Sequence, residues 1–133
     1  MARTVNSRNL TDELLTTTVA LPAAAANVST TALLIGGDGP HKERLKVKVS
    51  LPENSVLVAT KLLTITLYDS ATTTLAAASP AQSFVITGDT GFPAQDIYFE
   101  LSQTTKDYVG VNFAVETGGG SNIATTATVS VVS

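Results

Sequence analysis

Residues 44–51, RLKVKVSL, alternate strictly between polar and apolar side chains. The apolar side carries Leu45, Val47, Val49 and Leu51, and the polar side carries Arg44, Lys46, Lys48 and Ser50. A period of two is the spacing of a β-strand that buries one face and exposes the other. This segment is therefore predicted to be a half-buried strand with a row of cations on its outer face.

The same pattern recurs along most of the chain, with turn signals between the segments. The clusters GGDGP at 36–40 and GDTGFP at 88–93 are two of these turns. About eight strands are predicted, at residues 16–21, 31–35, 44–51, 55–69, 83–88, 96–102, 108–116 and 123–133. Since no helices alternate with these strands, the sequence predicts an all-β, single-domain, antiparallel β-sandwich.

Two sandwich architectures fit a chain of 133 residues. A jelly roll closes about eight antiparallel strands within this length and is the preferred interpretation. An immunoglobulin-like sandwich is the alternative, although its Cys…Trp…Cys pattern is absent because the chain has neither cysteine nor tryptophan.

The first fifteen residues have a different character. MARTVNSRNL is polar and aperiodic, which is typical of an extended arm that is ordered only against a partner. In the following TDELL, Asn9 or Thr11 can cap a short helical turn, with Asp12 and Glu13 at its positive end. The predicted division is an N-terminal arm with a short helical turn at 1–15 and a β-sandwich domain at 16–133.

The amino-acid composition of the chain limits the classes of partner that it can bind. Only 14% of the residues are charged, against about 25% in typical domains. The net charge of −3 argues against nucleic acid, which requires a positive surface. No apolar run approaches the ~18 residues of a membrane span. The sequence predicts no membrane and no nucleic-acid partner, and a product made in the cytoplasm and assembled into something larger.

No group of residues predicts catalysis, a metal or a cofactor. The one histidine, His41, follows a glycine turn and is predicted to be solvated, so serine and threonine hydroxyls lack a base to activate them. Asp38 and Asp89 lie in glycine turns without the acidic spacing of a calcium loop. Asp96 and Glu100 share a strand face but lie ~13 Å apart along it, so they are predicted to be solvent-facing charges. The chain is predicted not to be an enzyme.

The basic row therefore remains the main candidate site. Lys42, Arg44, Lys46 and Lys48 are four of the eight basic residues of the chain, and they form a positive stripe of about 20 Å. One interpretation is protection, since charges on an edge strand discourage aggregation between sheets. The other is a contact with an acidic partner. Nucleic acid is less favoured because no aromatic residue is interleaved with the cations to stack on bases.

The whole chain resembles a known family. The arm with TDELL, the cysteine-free β domain rich in Thr, Ala and Val, and the stretch TGDTGFPAQDIYFELSQTTKDYVGVNFAVETGG together resemble the small jelly-roll cement (decoration) proteins of short-tailed bacteriophages. The resemblance implies a structural virion protein on the outer capsid surface, which stabilises contacts between major capsid subunits. It implies the major capsid protein as partner and a homo-oligomer, dimer or trimer, on the shell.

The resemblance brings no catalytic residues and no contact residue that can be carried over position by position. The predicted capsid contacts are therefore the cations of the arm and of the basic row. They are Arg3, Arg8, Lys42, Arg44, Lys46 and Lys48.

A second function class is a carbohydrate- or receptor-binding β-sandwich module of a phage. Sugar sites offer exposed aromatic side chains, and Tyr68, Tyr98 and Tyr108 all alternate away from the apolar positions of their strands. Tyr98 and Tyr108 share a face if their strands pair. A jelly-roll enzyme of the cupin type is disfavoured, because cupins need several metal-binding histidines and this chain has one.

Overall fold

The computed structural model describes residues 11–35, 44–72, 79–102 and 104–132. Within these ranges the chain forms nine strands and no helix. The strands are β1 (Thr11–Ala20), β2 (Asn27–Ser29), β3 (Leu33–Leu34), β4 (Lys46–Leu51), β5 (Leu62–Ser70), β6 (Ser79–Thr87), β7 (Gln95–Glu100), β8 (Tyr108–Val115) and β9 (Thr126–Val132). None of the described residues forms a membrane-spanning helix.

The strands form two antiparallel sheets that enclose one core. The first sheet has the order β1-β9-β4-β7, and the second has the order β2-β8-β5-β6, with β3 also paired to β8. The prediction of an all-β antiparallel sandwich is confirmed. The jelly-roll connectivity stays a prediction, which is supported by the way the chain repeatedly crosses from one sheet to the other.

The alternating apolar side chains face between the sheets, as the sequence predicted. Val47 and Val49 of the first sheet are fully buried, and so are Ile65 and Phe113 of the second. Burying one such side chain stabilises the fold by roughly 1.5–3 kcal/mol. The core accordingly takes its stability from the apolar side of each alternating segment, and the opposite sides are left to form the two outer faces.

The predicted helical turn at TDELL is wrong. Residues 11–15 belong to β1, which pairs with β9 from Thr11 opposite Val132 to Ala20 opposite Thr126. The capping and charge preferences of this segment are weak local terms, and pairing along the edge of a sheet overrides them. The register shifts between Thr11 and Thr16, which marks a β-bulge or another irregularity in the first half of β1. The predicted boundary after residue 15 therefore falls inside a strand.

Two other segments differ from the prediction. The segment predicted as one strand over 55–69 becomes a strand only at Leu62, and residues 55–61 form turns. The alanine run at 23–26 leads into β2, and β2 and β3 are short pieces that pair with the same strand, β8. These pieces form an interrupted edge of the second sheet.

A buried amide cluster fixes the turns at one end of the sandwich. The side-chain nitrogen of Asn54 donates to Asn122 Oδ1 at 3.0 Å and to Thr125 Oγ1 at 2.8 Å. Its Oδ1 accepts from the backbone nitrogens of Val56 and Leu57, each at 2.8 Å. Asn54 is only 3% exposed and Asn122 1% exposed, so this cluster holds the β4–β5 and β8–β9 turns together inside the protein.

Candidate contact faces

Two residues of the basic row, Lys46 and Lys48, lie on β4, in the interior of the first sheet. Lys46 and Lys48 point outward, while Val47 and Val49 between them are buried. β4 has β9 on one side and β7 on the other. The interpretation that this row guards a sheet edge is therefore wrong, because the strand that carries it is not at an edge.

A row of opposite charge lies beside it on β7. Lys46 is directly opposite Glu100, Lys48 is opposite Tyr98, and Ser50 is opposite Asp96. The Lys48 Nζ and Asp96 Oδ2 atoms are 4.0 Å apart. Because both side chains are partly exposed, such a pair contributes at most about 1 kcal/mol. The carboxylates nevertheless balance the cations, so the outer face of the first sheet is a mixed charged face rather than a positive stripe.

We call the outward side chains Lys46, Lys48, Asp96, Tyr98 and Glu100 the charged face. Asp96 and Glu100 are both exposed on it, as predicted. Arg44 is exposed at the turn before β4. The other predicted contacts, Arg3, Arg8 and Lys42, lie outside the described residues, as do His41 and Asp38. Over the described ranges, no group of three or more His, Cys, Asp or Glu residues is placed to hold a metal ion.

The second sheet presents an outer face of a different kind. Residues that pair across an antiparallel sheet share a face, so the outward set follows from the register. It is made of Asn27, Ser29, Leu34, Leu62, Thr64, Thr66, Tyr68, Ser70, Ser83, Val85, Thr87, Tyr108, Gly110, Asn112 and Ala114. We call this set the uncharged face, because none of these described residues carries a charge.

Short polar side chains occupy the middle of the uncharged face. Thr64 and Thr66 of β5 are half-buried there, directly opposite Ala114 and Asn112 of β8. The Asn112 side-chain nitrogen donates to Asn27 Oδ1 at 3.1 Å and to Ser29 Oγ at 2.9 Å. These bonds tie β8 to β2 through side chains, and they hold the amide in place on the surface.

The tyrosines of the uncharged face lie toward one end of it. Tyr68 is opposite Gly110, and Tyr108 is opposite both Ser70 on β5 and Leu34 on β3. Leu34 is 53% exposed. Tyr98 and Tyr108 would share a face only if their strands paired, and they do not, because β7 and β8 belong to different sheets. Instead Tyr68 and Tyr108 share a face, on neighbouring strands.

This face is the feature that sequence reasoning missed. Depletion of charge together with tyrosine is the compositional mark of the buried centre of a protein interface. The sequence already contains this depletion of charge. Every second residue of 62–70 and of 108–115 points outward, beginning with Leu62 and Tyr108, and none of these outward residues is charged. It was overlooked because only the pairing of β5 with β8 brings the two sets together into one surface.

The comparisons with known proteins concern the fold. No family model and no curated protein matches the sequence. A solved structure described as Bacillus endospore appendages that form a novel family of disulfide-linked pili is similar over 100% of this chain and 95% of that chain, with TM-score 0.50 and 12% identity. At this identity the likeness shows a shared β fold.

Two other solved structures match less well. A crystal structure of PirA is similar over 96% of this chain and 98% of that chain, with TM-score 0.47 and 11% identity. The enzymatically active domain of tailspike protein 4 from bacteriophage CBA120 is similar over 94% of this chain but only 17% of that chain, with TM-score 0.44 and 14% identity.

Proposed function

We propose that this chain is a structural virion protein, a capsid cement protein that binds the outer surface of a phage shell and stabilises contacts between major capsid subunits. The observation that carries the proposal is the uncharged face of the second sheet. In this proposal the protein acts without catalysis or a cofactor, and its partner is the major capsid protein.

The physical argument is the cost of burying polar groups. A charge that becomes buried in an interface loses its hydration and costs several kcal/mol unless a partner compensates it. Hydroxyl and amide groups cost less and recover hydrogen bonds from the facing surface. Thr66 and Asn112 can be covered in this way, whereas Lys46 and Glu100 on the opposite side of the sandwich favour continued contact with water. The uncharged face is therefore the side we expect to lie against the shell.

The appendage structure provides a useful contrast. Its description links a similar fold to pili joined by disulfides. The 133 residues of this chain contain no cysteine. These 133 residues therefore cannot be joined by disulfides, and in this proposal the contacts made by the outer faces hold the protein on the shell.

The test uses shells of the major capsid protein from the same phage, prepared without this chain. The variant Thr66→Lys places a charge at the centre of the uncharged face. The matched control Thr128→Lys makes the same change at a half-buried threonine on an inner strand of the other sheet. After sedimentation of shells with bound protein, Thr66→Lys should lower affinity at least about tenfold, and Thr128→Lys should bind like the unmodified chain.

Two outcomes would overturn the proposal. If the unmodified chain does not sediment with the shells, it is not a cement protein for them. If Thr128→Lys loses affinity while Thr66→Lys retains it, the shell contact lies on the charged face. As a control for folding, the circular dichroism spectrum of each variant is compared with that of the unmodified chain.

The alternative function, carbohydrate or receptor binding, has one observation in its favour. Tyr98 is 53% exposed on the charged face, where Lys48 is opposite it on the neighbouring strand. An exposed ring beside polar groups is able to stack on a sugar. A glycan array with the unmodified chain and with Tyr98→Ala tests this: binding that disappears with the ring supports it, and an array without binding removes it.

A further inference from the structure

We infer that the free edge of β6 is a self-association surface, at which β6 pairs antiparallel with β6 of a second copy of this chain. The inference concerns the isolated protein and does not depend on the capsid proposal. It follows from a comparison of the strand edges that the two sheets leave open, taken over the described residues.

β6 is a long edge strand with exposed apolar side chains. It pairs with β5 on one side, and the described part of the chain supplies no strand on the other side. Phe84 is 42% exposed and Val85 is 48% exposed. Phe84 is paired with the buried Ile65 and so belongs to the inner side of the sheet, but it is left partly in water because no further strand covers it.

Residues 82–87 of β6 lack the charges that commonly protect an edge, while Pro80 and a register irregularity lie nearer the start of the strand. Its nine residues, SPAQSFVIT, include no Lys, Arg, Asp or Glu. Charges of this kind prevent neighbouring sheets from pairing edge to edge. The proline lies near the beginning of the strand and leaves residues 82–87 as a regular run opposite β5.

The other edges are poorly suited to pair with themselves. β7 carries Asp96 and Glu100, and an antiparallel pair of β7 strands centred on Tyr98 would place Asp96 opposite Glu100 of the second copy. β1 contains Asp12 and Glu13, and β2 and β3 are only three and two residues long. Charge and length together therefore favour β6, which is long and carries no charged residue that would meet its own copy.

The symmetry of such a pair limits its register. In a sheet that continues through a two-fold axis, inner side chains must face inner side chains, so each residue pairs with one of the same parity. The two-fold axis must then pass beside one residue of β6, which pairs with its own copy, and it cannot pass between two residues. Within the regular run 82–87 it lies beside Phe84 or Val85. In the first case Phe84 meets Phe84 of the second copy, and in the second case it meets Ile86.

The first experiment measures mass in solution by light scattering and sedimentation over a wide range of concentrations. The unmodified chain is expected to reach twice the mass of one chain. Val85→Lys should raise the dissociation constant roughly tenfold by placing a charge on each edge. The matched control Val85→Thr keeps a β-branched, uncharged side chain and should dimerise normally. Because Val85 is exposed, both variants are expected to fold.

The second experiment uses the absence of native cysteine. Phe84→Cys, Val85→Cys and the control Thr87→Cys are oxidised separately with copper phenanthroline. A disulfide requires Cα atoms within about 7 Å, which only the residue beside the axis satisfies. One of the first two variants should form crosslinked dimers. Thr87→Cys should not, because the two copies of residue 87 would be offset by about 13 Å or more along the strand.

Three results would overturn the inference. They are a monomer at all concentrations, a dimer that Val85→Lys leaves unchanged, and a dimer in which neither Phe84→Cys nor Val85→Cys crosslinks. Open-ended oligomers without crosslinks would indicate that β6 pairs with a different edge, which also contradicts it. Since no shell is present, these results leave the capsid proposal to its own test.

Discussion

Lys46 on β4 lies directly opposite Glu100 on β7, so the basic row that dominates the sequence has a carboxylate neighbour in the folded sheet. The same two strands bring Lys48 Nζ within 4.0 Å of Asp96 Oδ2. Charges that are far apart in the sequence thus form one surface with both signs, on the outer face of the first sheet. The outer face of the second sheet, the uncharged face, differs from it by having no charged residue among those described.

Reversing one charge of this pair should destabilise the fold, and swapping both should restore it. Lys46→Glu places like charges directly across the strands and should lower the free energy of unfolding by about 0.5–1 kcal/mol. Adding Glu100→Lys should recover most of that loss. Urea denaturation at low and high salt measures both effects. If the double variant is no more stable than Lys46→Glu, the two side chains do not interact.

Removing the amide of Asn54 should have a larger effect. Asn54→Ala deletes four hydrogen bonds in the amide cluster and leaves the backbone nitrogens of Val56 and Leu57 without their acceptor. We expect a loss of about 2–4 kcal/mol in the free energy of unfolding. The matched control is Asn112→Ala, which removes hydrogen bonds on the surface and should cost less than about 1 kcal/mol. Equal losses would show that burial of the cluster is not decisive.

Two glycines with left-handed backbone should differ in their tolerance of alanine. Gly91 has φ +94, and an added Cβ would collide with the backbone carbonyl of Asn54. Gly118 has φ +87, but the atom nearest to a Cβ added there would be Cε of the flexible Lys61 side chain, at 3.2 Å. Both substitutions carry the backbone cost of about 1 kcal/mol or more. Gly91→Ala should lose at least about 2 kcal/mol beyond Gly118→Ala in urea denaturation, and similar losses would contradict the close packing of this turn.

The strands that the sequence predicted best are those whose alternation is long and regular. Residues 108–115 are an example, because one buried face is enough to fix a strand locally. The start of β1 was not predicted, because TDELL carries helix-capping residues, and its connection to β9 runs through Thr11 and, beyond a shift in register, through residues 16–20. The candidate site was harder still. Two pairs of neighbours define the faces, Lys46 with Glu100 and Thr66 with Asn112. Each pair forms only when strands that are distant in sequence come together, and no local sequence pattern predicts which strands pair.

The contribution of the N-terminal cations can be separated from that of the uncharged face. The predicted arm covered residues 1–15, but residues 11–15 belong to β1. A deletion of residues 2–10 therefore removes Arg3 and Arg8 and leaves β1 whole. We expect this variant to keep the thermal unfolding transition of the full chain, since it retains every described residue of the core, and to bind shells more weakly.

A second variant, Arg3→Ala with Arg8→Ala, keeps the length of the chain and removes only the two charges. If the arginines meet acidic groups on the shell, this variant should show the same weakened binding and a smaller dependence of affinity on salt, because salt screens exposed charge pairs. If the deletion weakens binding and the double substitution does not, the contact is made by other groups of residues 2–10. Unchanged affinity of the deletion variant would show that these residues take no part in shell binding.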